Sequence, residues 1–305
     1  MEILTRRLFS TTSGEEMRCF SIRFLIICCF LPTGLVVPQP QKINTMPADS
    51  SQISITRLSV FGSTVLASGV AVYFARYEPL WKEHYTSFFF RQDFAARNQD
   101  KLLHFYGSAM GNVISTMGLS WAGYDDRDAV VYGAATSLAF FTFMKIEDGH
   151  VNYIGFDPVK ELANVLGAGY PVAQYYVPSL NSFTPKFSYV ASKNNVLAAG
   201  QTQPSFLEDN EGQKFWMGIT VHDLLPENLR DYWPSIIGLA VGRTVQGLQS
   251  GNPSAGLYLA LDVDLRKLPG DSPLLRKVWK FLNYIHLPMP AVRLSPSVIW
   301  YGIYL

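Results

Sequence analysis

Charged side chains are scarce in this chain. Asp, Glu, Lys and Arg make up 16% of its 305 residues, whereas a soluble globular domain carries roughly 25%. The formal net charge is only +1, and no long basic run occurs, so the electrostatic footprint of a nucleic-acid-binding protein is missing. Hydrophobic residues account for 48% of the chain and aromatic residues for 14%. Apolar side chains have therefore replaced the missing charge.

Cysteine is almost absent as well. The three cysteines, Cys19, Cys28 and Cys29, all lie near the N-terminus, so the rest of the chain lacks a disulfide, a thiolate metal site and a cysteine nucleophile. The sequence also lacks the H-E-x-x-H and G-x-S-x-G motifs and the glycine loops that bind phosphate. We therefore expect neither a metal site nor a cofactor.

A segment near the N-terminus has the pattern of a secretory signal. Arg18 and Arg23 provide a basic end, and residues 24–37 form an apolar run that a proline and a glycine interrupt. A charged start and a short apolar centre are typical of export signals, and the run is short for a membrane span. We predict a signal peptide, or an uncleaved anchor, over residues 1–38 and a polar linker over residues 39–56. The expected location is a membrane, inner or outer, of the bacterial cell envelope.

Four apolar stretches of helical length follow, at residues 58–77, 102–121, 129–146 and 159–176. Short polar connections join them, which is typical of an antiparallel four-helix bundle. The first stretch is rich in Gly, Ala and Ser, which suit close helix contacts inside a membrane. Several are shorter than the roughly twenty residues that cross a bilayer, so thin spans, partly inserted helices and the buried helices of a soluble bundle stay open. We predict an apolar, membrane-type four-helix bundle over residues 57–178.

The C-terminal part, residues 179–305, has a different character. Short apolar runs mix with Pro and Gly, and the stretch "GLYLALDVDLRKLPG" alternates strictly, as a β-strand does. Alternating segments are too few for a membrane barrel. We expect an irregular α+β region with short strands that packs around or caps the bundle, and a mainly α fold class overall. One face of the predicted strand carries Leu257, Leu259, Leu261, Val263 and Leu265, and the other carries Tyr258, Ala260, Asp262 and Asp264.

Polar residues gather at the ends of three predicted helices. They are Asp100, Lys101 and His104 at the start of the second helix, Glu147 and Asp148 at the end of the third, and Asp157, Glu161 and Asn164 at the start of the fourth. Spacings of three and four put such residues on one helix face. In an up-and-down bundle these three helix ends lie at the same level, so the sequence predicts one shared polar site.

Three interpretations of this site stay open. A carboxylate can orient a histidine that acts as general acid or base, so His104 with Glu147 or Asp148 is the candidate catalytic set. The remaining polar residues are candidates for binding a lipid or glycan ligand, namely Asp100, Lys101, Asp157, Glu161 and Asn164. A hard or borderline metal ion could also bind His104 with Glu147 or Asp148, but the paired E-x-x-H pattern of di-metal sites is absent. Alternatively, the whole set is a structural network of helix caps and ion pairs.

Other histidines and glycines receive a structural interpretation. We expect His150, His222 and His286 to be ordinary loop histidines or histidines with satisfied hydrogen bonds. Gly167 and Gly169, in the fourth helix, are expected to permit tight helix packing.

Several motifs resemble known families. The segments "QDKLLHFYGSAMG", "KIEDGH", "GFDPVKELANVLGAG" and "YLALDVDLRKLP" resemble the uncharacterised YfiM-like family of predicted bacterial envelope lipoproteins, from about Trp81 to the C-terminus. More distantly, the order DK-x-x-H, an acidic residue and D…N-x-x-G is similar to VanZ-like membrane proteins. The matching residues are Asp100, Lys101 and His104, then Glu147 and Asp148, and then Asp157, Asn164 and Gly167.

Two functions of different classes are compatible with these features. The first is a non-enzymatic envelope protein that contacts membrane lipid, a lipoprotein or another envelope protein. The second is a membrane-embedded enzyme acting on a lipid-linked or cell-wall substrate through the histidine and carboxylates. The resemblance implies an envelope location for both and brings no established reaction with it.

Overall fold

Four long helices make up the first half of the fold. The computed structural model describes residues 53–77, 81–92, 94–192, 206–248, 250–270 and 272–304, and the predicted signal segment lies outside the described residues. The helices are α1 (Ile55–Arg76), α2 (Gln99–Ala122), α3 (Asp126–Asp148) and α4 (Pro158–Tyr176). The four predicted helical stretches are therefore helices, each within a few residues of its expected bounds.

Local signals explain where these helices begin and end. The side chains of Ser54, Asp125 and Asp157 accept hydrogen bonds from backbone N–H groups in the first turns of α1, α3 and α4, as N-cap residues do. Pro158, at the first position of α4, has no N–H that needs a partner. Gly123 follows α2 with a φ of 104°, a conformation that glycine adopts without strain.

Helix α2 lies at the centre of the bundle, in close contact with α3 and α4 and with fewer contacts to α1. Hydrogen bonds from side chains to backbone carbonyls tie these helices together: Ser108 Oγ donates to Asn164 O at 2.6 Å and Asn112 Nδ2 donates to Ala168 O at 2.7 Å. Gly167 of α4 lies directly against the backbone of Phe105 in α2. The prediction that Gly167 permits tight packing is confirmed, whereas Gly169 has open space beside it.

A six-stranded antiparallel sheet makes up the second half, with the strands in sequence order. The strands are β1 (Phe183–Tyr189), β2 (Gln213–Ile219), β3 (Ile237–Gln246), β4 (Ser254–Val263), β5 (Met289–Ser295) and β6 (Ile299–Tyr304). Short helices α5 (Val221–Leu224) and α6 (Glu227–Arg230) follow β2, and α7 (Pro273–Leu282) precedes β5. The expected C-terminal region with short strands is confirmed, and the predicted strand is β4, but the strands form one regular six-stranded sheet rather than an irregular region. Strand β3 alternates large with small residues rather than apolar with polar ones, which hides its period in the sequence.

The leucine face of β4 is its exposed face. Leu257 and Leu259 are 41% and 40% exposed, whereas Tyr258 and Asp262 between and beyond them are 1% and 4% exposed. Val241 pairs with Leu259 across the ladder and is also exposed. The sheet therefore presents apolar side chains outward and keeps aromatic and polar ones inside.

The sheet curls strongly around this interior. Trp216 of β2 contacts Tyr304 of β6 with ring centroids 6.2 Å apart, although three strands lie between them in the sheet. A parallel bridge from Phe187 to Ile285 covers the β1 edge. The buried cluster at the centre comprises Trp216, Ala240, Tyr258, Ala260 and Ala291.

Candidate functional site

The predicted polar residues lie at one end of the bundle. Lys160 Nζ is 2.8 Å from Asp100 Oδ2, and Lys101 Nζ is 3.6 Å from Asp157 Oδ2, so two ion pairs join the start of α2 to the start of α4. Thr142, near the end of α3, donates to Glu161 of α4. The structure thus brings together the three helix ends that an up-and-down bundle puts at one level.

Asp148 contacts two cations and an indole N–H at the same end of the bundle. Lys145 Nζ lies 2.5 Å from its Oδ2, and Arg76 Nη2 lies 3.2 Å from its Oδ1. Trp81 Nε1 also donates to Oδ1 at 3.1 Å. Because Arg76 ends α1 and Trp81 lies in the following loop, Asp148 ties α1 to α3. Glu147, the residue immediately before Asp148, is also buried.

His104 contacts an amide rather than a carboxylate. Its Nδ1 lies 3.1 Å from Asn164 Oδ1, and Asn164 Nδ2 donates to Glu161 Oε2 at 2.9 Å. Since the amide N–H is turned to Glu161, its oxygen faces His104 and must accept, so the imidazole proton is on Nδ1. In the described part of the chain, His104 has no hydrogen bond to Glu147 or Asp148.

Burial keeps His104 neutral. Loss of solvent is the largest cause that lowers the pKa of this histidine to about 3, and the positive charge of Lys145 acts in the same direction. The hydrogen bond with Asn164 acts in the opposite direction and is the weaker influence. At neutral pH the side chain is an uncharged donor at Nδ1 with a lone pair at Nε2.

The arrangement is well suited to holding four helix ends in register. Its acids contact lysines, an arginine or side-chain donors, and removing one partner of a buried ion pair costs about 3–5 kcal/mol. Within the described ranges, no three His, Cys, Asp or Glu side chains are grouped as metal ligands would be.

Sequence reasoning missed several members of this network: Arg76, Trp81, Lys145 and Lys160. Lys145 had a usable signal, because it precedes Asp148 by three residues on the same helix. Arg76 is the first charge after the long apolar run of α1, which is weaker evidence. No sequence signal indicated Trp81, because its contact with Asp148 depends on the path of the loop after α1.

A second buried polar cluster lies inside the curled sheet. Lys186 Nζ is 2.8 Å from Asp262 Oδ2 and donates to Asn283 Oδ1 at 3.1 Å. Burial lowers the pKa of Lys186, although the charge of Asp262 acts in the opposite direction. His286 Nδ1 lies 3.2 Å from Asp262 Oδ1, and its ring stacks on Trp216 with centroids 4.0 Å apart.

This cluster corrects the expectation for His286. The side chain is fully buried, and its Nε2 has no hydrogen-bond partner among the described residues, so it is neither an ordinary loop histidine nor a satisfied one. The sequence carried no sign of this, because His286 lies in a connection and reaches the interior only when the sheet curls. His150 and His222, by contrast, are half-buried next to Thr86 and Asp223.

Comparison with known proteins gives one match. Residues 87–176 match the model of a family described as predicted periplasmic lipoproteins (DUF2279). This span holds α2, α3 and α4, and therefore all eight candidate site residues. No curated protein and no solved structure matches the chain. The family description confirms the expected exported location in the bacterial cell envelope and fits an envelope-associated protein of unknown activity.

Proposed function

We propose that this protein is a non-enzymatic component of the cell envelope whose helical bundle is embedded in a membrane and contacts lipid. The observation that carries the proposal is the surface of α1. This helix of 22 residues buries only Gly69, and 6% of its apolar window lies inside the protein. At 1.5 Å per residue it is about 33 Å long, which matches the roughly 30 Å hydrocarbon core of a bilayer.

The distribution of charge supports the same assignment. The middle sections of the four helices, residues 58–75, 105–124, 129–144 and 162–176, contain no charged side chain. Charges lie at the two ends of the bundle, and His104 with its polar network belongs to one of these end layers. Helix α3 also has the length and hydropathy of a membrane span, although 44% of its apolar window is buried.

An arginine lies over a tryptophan at each end of α1. Arg57 lies 5.7 Å from the ring centroid of Trp121, and Arg76 lies 5.7 Å from that of Trp81. Tryptophan is favoured at membrane–water boundaries, and long basic side chains extend there from helix ends. Trp121, which is exposed, and Arg57 therefore mark one expected boundary of the lipid-embedded layer. At the other end Trp81 is fully buried, so Arg76 at the end of α1 marks the second boundary.

The exposed face of the sheet is a second apolar surface. Val241, Leu257, Leu259 and Leu261 form a continuous outward-facing group on β3 and β4. Water-exposed apolar patches of this kind are uncommon in soluble proteins and mark contact with lipid or a partner. We assign the same lipid contact to this face.

The resemblances to YfiM-like and VanZ-like proteins are compatible with this proposal. The YfiM-like motifs support an envelope protein, and the more distant VanZ-like order of motifs supports a membrane-embedded one. The enzymatic alternative, in which His104 acts with Glu147 or Asp148, gains no comparable support, because His104 is hydrogen-bonded to Asn164 and Asp148 is held by Arg76 and Lys145. We assign the polar cluster a structural role at the boundary of the membrane.

Carbonate extraction of membranes from cells that express the tagged full chain tests the proposal. Ala67 lies in the exposed middle of α1, and Ala191 is exposed after β1. A lysine at the centre of a membrane helix costs about 2.5–3.5 kcal/mol, so Ala67→Lys should reduce the membrane-retained fraction while Ala191→Lys leaves it unchanged. Release of the wild-type protein by carbonate, or equal behaviour of the two variants, would remove α1 from the lipid and overturn the proposal.

A further inference from the structure

A cavity of about 330 Å³ lies between the helical bundle and the C-terminal half. Val113, Met117 and Val130 of α2 and α3 contribute to its apolar wall, and Arg266 and Lys280 contribute two cations from the other side. Ligand sites in proteins begin at about 300 Å³ and combine a mostly apolar wall with a few polar groups. The cavity has the required volume, and polar and apolar side chains both line it. One lining residue, Asn283, also belongs to the buried cluster around Lys186.

Arg266 is held rigidly at this cavity. Its Nε and Nη2 donate to the two carboxylate oxygens of Asp264 at 2.8 and 2.7 Å, and Nη2 also donates to Thr220 Oγ1 at 3.2 Å. Its Nη1 has no hydrogen bond to any described residue. The guanidinium thus keeps donor capacity for a ligand while its orientation is fixed by Asp264.

Lys280 is the second cation of the cavity, and it has no ion pair with any residue that the structure describes. One acidic residue, Asp126 in the first turn of α3, also lines the cavity. Because Asp264 already pairs with Arg266, Lys280 contributes the uncompensated positive charge on the sheet side. An anionic ligand with several acceptor oxygens would satisfy both cations.

Lys280 also belongs to an amphipathic helix at the rim of the cavity. Helix α7 has no buried residue; Leu274 is 71% exposed, and Leu275 and Val278 are 37% exposed on the same face. Arg276 and Lys277 lie with Lys280 on the basic face. Short helices with one apolar and one basic face lie in the headgroup region of anionic membranes. The cavity therefore opens beside a helix suited to the level of the headgroups.

We infer that this cavity binds the anionic headgroup of a phospholipid, with the phosphate between Arg266 and Lys280 and the adjoining glycerol and acyl carbons along Val113, Met117 and Val130. Basic pockets beside membrane helices recognise anionic headgroups in this way. The inference rests on the proposed function, since it names the class of lipid that the protein contacts and the place of contact.

The test uses the purified full chain in a neutral detergent, titrated with phosphatidylglycerol or phosphatidylcholine in mixed micelles. Phosphatidylglycerol should bind at least about five-fold more tightly, the factor expected from one basic side chain near an anionic headgroup. Lys280→Gln should remove about this factor, whereas Lys277→Gln, the same change one turn away on α7, should leave the affinity within two-fold. Arg266→Lys keeps the positive charge, so a loss of phosphatidylglycerol affinity in this variant would show that the guanidinium group itself recognises the phosphate.

Each of three other results would overturn the inference. Equal affinity for the two lipids would mean that there is no headgroup site. Equal losses from Lys277→Gln and Lys280→Gln would assign the binding to surface charge rather than the cavity. If glycerol phosphate without acyl chains competes as well as the whole lipid, the cavity is a site for a free phosphate compound.

The two proposals fail in different ways. A protein that carbonate retains in membranes but that shows no preference for phosphatidylglycerol would exclude the headgroup site alone. A protein that carbonate releases, yet that binds phosphatidylglycerol selectively in detergent, would exclude the embedded bundle alone.

Discussion

Replacing Gly167 with alanine gives the sharpest test of the helix packing. A Cβ at this position would collide with the carbonyl oxygen of Phe105 and would lie 2.9 Å from its carbonyl carbon and 3.0 Å from its Cα. These are backbone atoms of α2, so a rotamer change cannot relieve the collision. Gly169, two residues later on α4, has nothing within 4 Å of the same added atom and is the matched control.

The magnitude follows from two effects. Alanine is favoured over glycine inside a helix by about 1 kcal/mol, and this gain is common to both positions. Overpacking typically costs about 1–3 kcal/mol, and only Gly167→Ala incurs it. The two variants should therefore differ in free energy of unfolding by about 1–3 kcal/mol, and at roughly 2–4 °C per kcal/mol in a domain of this size the melting temperatures should differ by about 2–12 °C.

Thermal unfolding of the two purified full-length variants in the same detergent measures this difference, with circular dichroism at 222 nm, roughly the helix minimum, as the signal. Gly169→Ala should melt at or slightly above the wild-type temperature, and Gly167→Ala about 2–12 °C below Gly169→Ala. If Gly167→Ala melts as high as Gly169→Ala, α4 does not approach the α2 backbone closely at this residue, and the packing of these two helices is wrong.

Three further predictions concern the buried ionisable side chains. Burial lowers the pKa of His104 to about 3 in the folded protein, from its ordinary value of 6.5. The unfolded chain therefore binds more protons between these two values, so the free energy of unfolding falls as the pH drops below 6.5, by about 2 kcal/mol at about pH 5. His104→Asn retains a donor and should flatten this pH dependence in denaturation curves; an unchanged slope would contradict the prediction. Asp148→Asn should lower the free energy of unfolding by about 3–5 kcal/mol, while the control Glu83→Gln, at an exposed site, should change it by less than about 0.5 kcal/mol. If both variants change the free energy of unfolding by equally small amounts, the Asp148 network is not buried. Lys186→Met should destabilise the protein by about 3–5 kcal/mol, because it leaves the Asp262 carboxylate without its cation. Adding Asp262→Leu should restore much of that loss, because no unpaired charge then remains inside the sheet. A double variant less stable than Lys186→Met would refute the ion pair between Lys186 and Asp262.

Connectivity alone predicted the position of the polar site. The helices could be located because uncharged runs are bounded by charges and because Asp157 and Pro158 mark a helix start by local chemistry. Short loops force neighbouring helices to be antiparallel, so the start of α2, the end of α3 and the start of α4 had to lie at one level. In the structure these three helix ends lie together at one end of the bundle.

Pairing within the site depended on the rotation of each helix about its axis. The sequence pointed to a carboxylate as the partner of His104, but the turn of α4 brings Asn164 to it instead. Asp148 meets Arg76 and Trp81 because α1 and the loop after it return to the end of α3. A rotation of one residue changes a side chain's direction by about 100°, and short-range patterns do not specify it.

Strand β4 shows which features of the sheet follow from the sequence and which follow from the tertiary structure. A period of two in β4 required Leu259 and Tyr258 to lie on opposite faces, and this the amino-acid sequence determined by itself, as it determined the four helices and their order. Which face is buried depends on what covers it. Only the curl that brings Trp216 to Tyr304 encloses Tyr258, Asp262 and His286 and leaves the leucines outside, because that enclosure is built from residues far apart in the chain.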